Sequence, residues 1–189
     1  MKATYHKHIL NFKRPSGTSR GILKQKETWF IHLESEGKQG IGECGILRSL
    51  SIDDVPEYEE KLRWTCENMH LGEEALLEEL IEFPSIQFGV EQAFRSLHSE
   101  SPYLLHTSEF TEGKAAIDIN GLIWMGDETF MKSQIKEKLA AGFSCIKMKI
   151  GAIDFDTEIK LLQSIRKEYS INDIELRVDA NGAFTPENA

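Results

Sequence analysis

Apolar and polar positions alternate differently along three stretches of this chain. "ATYHKHILNF" (3–12) and "ETWFIHLES" (27–35) are rich in aromatic and β-branched residues and predict two strands. "EGKQG" predicts a turn, after which "IGECGIL" returns as a third strand. Between the first two strands, "SGTSRGILKQK" (16–26) carries glycine, serine and basic residues and reads as a mobile loop. From Ile52 the period becomes helical: "SIDDVPEYEEKLRWTCENMH" opens on capping-type residues and spaces Leu62, Cys66 and Met69 along one face. "GEEALLEELIEF" and "SIQFGVEQAFRSLHS" predict two further helices. A three-stranded meander followed by helices makes an α+β unit.

After "TEGKA" the rhythm is regular. "AAIDINGLIW" predicts a strand, and "DETFMKSQIKEKLAAG" a helix with Phe130, Ile135 and Leu139 inward and a stop at Gly142. "CIKMKI" is the next strand, "DFDTEIKLLQSIRKEYS" the next helix and "ELRVDANG" a third strand. "TPENA" then suits a helix entry, with Thr185 at the N-cap and Pro186 at the first helical position. The order β-α-β-α-β is that of a parallel sheet with crossover helices. The chain thus divides into an α+β domain, 1–112, and an α/β domain, 113–189.

Composition narrows the function classes. The chain has 189 residues and a net charge of -9, with both signs mixed along most of its length. No basic patch supports general affinity for nucleic acid or anionic membrane. Cys44, Cys66 and Cys145 are widely spaced and odd in number, with no zinc-type pairing, so reduced thiols in a cytoplasmic protein are expected. "MKATYHKHIL" lacks an apolar signal region, and no apolar run reaches membrane-spanning length.

Candidate chemistry gathers at the strand ends. In "CIKMKI", Lys147 and Lys149 share one face and Ile146, Met148 and Ile150 the other. Helices cover one face of such a sheet, and a second layer or barrel interior covers the other, so the lysine face does not simply look into water. In "LRVDANG", Arg177, Asp179 and Asn181 share a face, and Asp179 and Asn181 fall at the C-terminal end, where parallel α/β proteins build their sites. Asp179 reads either as a metal ligand or as the cap of an Asn-Gly turn. Asp118 and Asn120, placed near the end of the preceding strand, read as structural. His6 and His8, two residues apart with no third ligand, also read as structural.

Lys-x-Lys on one strand, followed by "RVDAN" on the next, resembles the muconate-lactonizing-enzyme subgroup of the enolase superfamily. "GIGECGIL" resembles the end of that family's capping-domain meander, and "SIQFGVEQAFRSL" the helix before its barrel. The fold implied is a capping domain followed by the first β-α-β-α-β of a TIM-like (β/α)7β barrel. "GECGILRSLSIDD" and "DINGLIWMG" are most similar to the branch that forms o-succinylbenzoate in menaquinone biosynthesis. That branch dehydrates 2-succinyl-6-hydroxy-2,4-cyclohexadiene-1-carboxylate through an enediolate. The resemblance implies that Lys149 is the general base and Lys147 its cationic partner. It further implies that Asp179 is one of three carboxylate ligands to Mg²⁺, with Mn²⁺ an alternative, and that Asn181 is a polar neighbour of the metal or substrate. Arg20 and "ILRSLS" match capping loops that close over a small-molecule carboxylate substrate. Two ammonium groups about 6 Å apart repel by roughly 3 kcal/mol at an effective dielectric near 20, which favours one of them in its neutral, basic form.

Two features qualify that expectation. A complete barrel of this type takes about 250 residues, and only three of its strands are read here. The chain is therefore expected to be an N-terminal fragment, inactive alone, with the remaining metal carboxylates and a second lysine beyond Ala189. The same residues also suit a dipeptide epimerase or an N-acylamino-acid racemase. A non-catalytic binding module is a third reading, and homo-oligomerisation stays open.

Overall fold

A computed structural model describes residues 1–18, 21–151, 153–180 and 182–187. Residues 1–15 with 24–116 form one compact unit, and residues 16–23 with 117–189 a second.

The first unit is built on a sheet ordered β1-β2-β3, with β1 at Lys2–Thr18, β2 at Gly21–Ser35 and β3 at Lys38–Gly45. Strands β2 and β3 are antiparallel, in a register that sets Trp29 opposite Cys44 and His32 opposite Ile41. They turn through Glu36 and Gly37, both at positive φ. The segment expected as a loop, 16–26, is strand wherever it is described, from Ser16 to Thr18 and from Gly21 onward. Strand pairing continues there beyond the part of the sheet that the core supports, so weak apolar patterning hid it.

Three α-helices follow: α1 (Tyr58–Glu67), α2 (Glu73–Glu79) and α3 (Pro84–His98). Helix α1 starts later than the helical pattern suggests, because Pro56 and the turns around Asp53 hold the preceding chain out of the helix. Trp29, Ile31 and Leu33 of β2 point into a core shared with Leu62, Met69, Leu76, Ile86, Val90 and Phe94. Buried Asp53 accepts a hydrogen bond from Ser85 N at 2.8 Å, satisfying an amide in the first turn of α3.

Helix α3 lies on β3 at backbone distance. A Cβ added to Gly42 would fall 1.8 Å from the Gly89 carbonyl oxygen, and one added to Gly40 2.2 Å from that of Ala93. A side chain on Gly89 would meet Cys44 Sγ at 2.2 Å. The same helix also reaches the edge of the sheet: Ile41 N donates to Ser96 Oγ and Glu43 N to Gln92 Oε1, both at 2.9 Å. Cys44, Cys66 and Cys145 are free thiols, and burial pushes Cys66 up to about 12.

The turn after β3 is pinned by Arg48, which bonds Glu27 through Nε at 2.9 Å and Asp54 through Nη1 at 2.5 Å. The Ser49 amide and then Arg48 hold Asp54 below the usual carboxylate range. Burial pushes Glu27 upward, but Lys7 and Arg48 outweigh it and hold it low. Lowered folded values mean stability that is present above the unfolded range and lost as pH falls through the folded values. Arg48→Met should therefore lower the urea midpoint at pH 7. That gap from wild type should be complete above about pH 5 and shrink below about pH 4. An equal gap at pH 3 and pH 7 would mean that packing, not charge, is what Arg48 contributes.

The second unit runs β4 (Gly121–Ile123), α4 (Glu128–Ala140), β5 (Cys145–Lys149), α5 (Phe155–Glu168) and β6 (Glu175–Asp179), with strand order β4-β5-β6. Both pairings are parallel. Asp127 caps α4 by accepting from Phe130 N, and Asp154 caps α5 by accepting from Thr157 N. Ile123, Ile146 and Met148 pack against Met131, Ile135, Leu161 and Ile165 of the helices. Phe130, expected inward, is exposed; Met131 takes the core position and the Phe130 ring folds back over Gly126. Residues 186–187 form a turn, and among the described residues "TPENA" contains no helix. Among the described residues, no helix is long and apolar enough to cross a membrane.

Candidate active site at the ends of β5 and β6

The register of β5 and β6 sets Lys147 beside Arg177 and Lys149 beside Asp179. Residues paired in a parallel ladder point to the same face, so both lysines and Asp179 stand opposite the apolar face formed by Ile146 and Met148. Ile150 N donates to Asp179 O at 3.0 Å and carries the ladder one residue past β5. Gly151 then takes φ +87°, a conformation suited to glycine, and its amide donates to the buried Glu158 carboxylate at 2.7 Å. A side chain there would also meet Ala183 Cβ at 2.4 Å. This turn fixes where Lys149 ends its strand. The sequence reading missed it, although a glycine at a strand end with a glutamate seven residues on was the available signal.

Both lysines converge on one oxygen. Lys149 Nζ lies 2.7 Å and Lys147 Nζ 2.8 Å from Asp179 Oδ2. The two nitrogens are thus at most about 5.5 Å apart, the sum of those distances. Lys149 is the more enclosed, with 16% of its side chain exposed against 32% for Lys147. Arg177, on the same face, is exposed and pairs with Glu175 at 2.6 Å. Two cations and one carboxylate leave a local positive excess in an acidic chain.

The other candidates do not join this cluster. Strand β4 begins at Gly121, so Asp118 and Asn120 precede it and lie at the opposite end from Lys149 and Asp179. The expected longer strand fails because the ladder starts only at the Gly121–Ile146 pair. Arg20 and Asn181 lie outside the described residues. Asp179 offers carboxylate oxygen suited to a hard divalent cation, yet among the described residues no three His, Cys, Asp or Glu groups come together to hold a metal. These residues supply one ligand and not a complete site.

The model of the MenC N-terminal domain matches residues 3–97. The chain belongs to the MenC N-terminal-domain family. The enolase C-terminal domain-like model matches residues 131–189, next to the MenC domain in the chain. The o-succinylbenzoate synthase of Desulfotalea psychrophila is 38% identical to this MenC-family chain, over all of it and 60% of the relative. The crystal structure of MenC from that organism superposes with a TM-score of 0.80 at 33% identity, covering all of this chain and 59% of the other. An o-succinylbenzoate synthase from Thermosynechococcus elongatus, complexed with Mg in the active site, shares the fold with a TM-score of 0.69 at 19% identity, over 98% of this chain and 53% of that one. The fold is that of the enolase superfamily: a capping domain and the first strands of its barrel. The chain spans about 60% of the length of the Desulfotalea relative.

Proposed function

We propose that, together with the remainder of a barrel such as the longer relatives carry, this chain dehydrates 2-succinyl-6-hydroxy-2,4-cyclohexadiene-1-carboxylate to o-succinylbenzoate. The observation that carries this reading is the convergence of Lys147 and Lys149 on Asp179 at the C-terminal ends of parallel strands, in a MenC-family chain. Lys149, the more enclosed lysine, takes the proton α to the substrate carboxylate. Lys147 is its electrostatic partner, with its Nζ at most about 5.5 Å away on the same Asp179 oxygen. The hydroxyl on the adjacent carbon then leaves, and Lys149 returns its proton to it on the same face. Loss of water completes an aromatic ring, which supplies the driving force.

Asp179 would be one ligand of a divalent ion, Mg²⁺ in this reading, and the other ligands would have to come from outside the described residues. When bound, the ion would supply positive charge against the developing enediolate. Asp179→Asn should weaken magnesium binding in the extended chain, as read by calorimetric titration; an unchanged titration would return Asp179 to a turn-capping role. Free Cys44, Cys66 and Cys145 suit a reducing compartment, and we place the activity in the cytoplasm.

Substrate choice is tested by kcat/KM for the extended chain on the cyclohexadiene carboxylate, on N-succinylamino acids and on dipeptides. The first should be preferred. Preference for a dipeptide would move the chain to an epimerase, with the base assignments intact.

A further inference from the structure

The first sheet carries His6 and His8 on β1 and His32 on β2. His6 and His8 lie two residues apart on β1, but they do not meet each other. His6 instead meets His32 of β2, with His6 Nδ1 and His32 Nε2 2.9 Å apart. Their rings are nearly parallel, at 19°, with centroids 4.9 Å apart. Phe30 stacks against His6 on one side, with ring centroids 5.4 Å apart. Both histidines are exposed. A cavity of about 160 Å³ beside His32 is lined by Lys2, Thr4, Leu33, Glu34, Gln39 and Gly40, so oxygen groups there share the space with one lysine.

We propose that His6 and His32 form a two-imidazole chelate for a divalent ion of the copper(II) type. The imidazole pair decides the ion class, because nitrogen ligands of this type bind Cu²⁺ more tightly than Zn²⁺ in the usual order of divalent ions. Imidazole ligands in tetragonal geometry select Cu²⁺ and, more weakly, Ni²⁺. Burial and the neighbouring His6 hold His32 below the usual histidine range, so its ring is available in the neutral form that binds metal. One of these nitrogens donates to the other, so a metal would displace that bridging proton while both exposed rings turn about χ2 to a common apex. Two adjacent strands already fix both backbones, so chelation needs no rearrangement of the chain. His8 faces Phe30, with ring centroids 6.3 Å apart, and is no part of the chelate.

The test is calorimetric titration of the full chain with Cu²⁺ at pH 7, beside His6→Gln, His32→Gln and His8→Gln. Losing an outer-shell partner already weakens a metal about 10–100-fold, so loss of either chelating ring should cost at least about tenfold. His8→Gln should titrate like wild type, and Zn²⁺ should bind wild type more weakly than Cu²⁺. Copper sites elsewhere, such as the amino terminus, are common to all the variants and cancel in the comparison. If either variant fails to fold, electron paramagnetic resonance of the wild-type copper complex decides. Coupling to two imidazole nitrogens supports the chelate. Unchanged isotherms in His6→Gln and His32→Gln, zinc binding as tight as copper, or a spectrum without two imidazole nitrogens would each overturn it.

Discussion

Gly42→Ala is expected to destabilise the first unit by about 3 kcal/mol or more, at or beyond the upper end of the usual cost of overpacking. The new Cβ would fall 1.8 Å from the Gly89 carbonyl oxygen and 2.9 Å from Ala93 N. Both are backbone atoms of α3, so no rotamer change can make room. The helix would have to lift from β3, opening the contacts of Val90 and Phe94 with Trp29 and Ile31 in the same core. Gly45→Ala is the control, because its tightest contact, 2.9 Å, is Lys26 Nζ at the end of a flexible side chain. It should cost less than about 1 kcal/mol. Urea midpoints of the two variants compare them directly. A Gly42→Ala midpoint as close to wild type as that of Gly45→Ala would mean that α3 adjusts its distance freely.

Lys149→Ala should lower turnover of the extended chain by about 10²–10⁴-fold, the usual contribution of a positioned general base. Magnesium titration of the same variant should stay close to wild type, because the carboxylate of Asp179 remains. Lys147→Ala should be less damaging than Lys149→Ala, since its proposed part is electrostatic. That variant should also move the rising limb of the pH–rate profile upward, as the neighbouring positive charge is lost. An unmoved profile would remove Lys147 from its role beside the base. Turnover by Lys149→Ala within tenfold of wild type would place the base elsewhere.

What the sequence revealed depended on the kind of signal. Lys147, Lys149 and Asp179 were readable because strand alternation fixes which side chains share a face, and the register then set Lys149 beside Asp179. Their convergence on a single oxygen was not readable, since rotamers of long lysines leave no pattern in sequence. Helix patterning located α4 but placed Phe130 inside on its aromatic character, although 131, 135 and 139 recur every four residues and 130 lies about 140° around the helix from 135. Asp118 and Asn120 were set at the wrong end of β4, where apolar Ile117 and Ile119 imitate a strand that no partner extends. His32 escaped notice because its partner lies on a neighbouring strand, 26 residues away in sequence.

The two side-chain bonds from α3 to β3 have a bearing on how the chain behaves in a crowded solution. An edge strand with free amides is a template for a neighbour's strand. Here Ser96 and Gln92 already occupy the Ile41 and Glu43 amides, and glycine carbonyl and helix backbone stand directly against the strand. The β3 edge is therefore closed to recruitment, and sheet-to-sheet polymerisation from that side would first require the helix to unfold. The edge of the first sheet that remains for such growth is β1, which carries Lys2, Lys7 and Lys13 as charged guards.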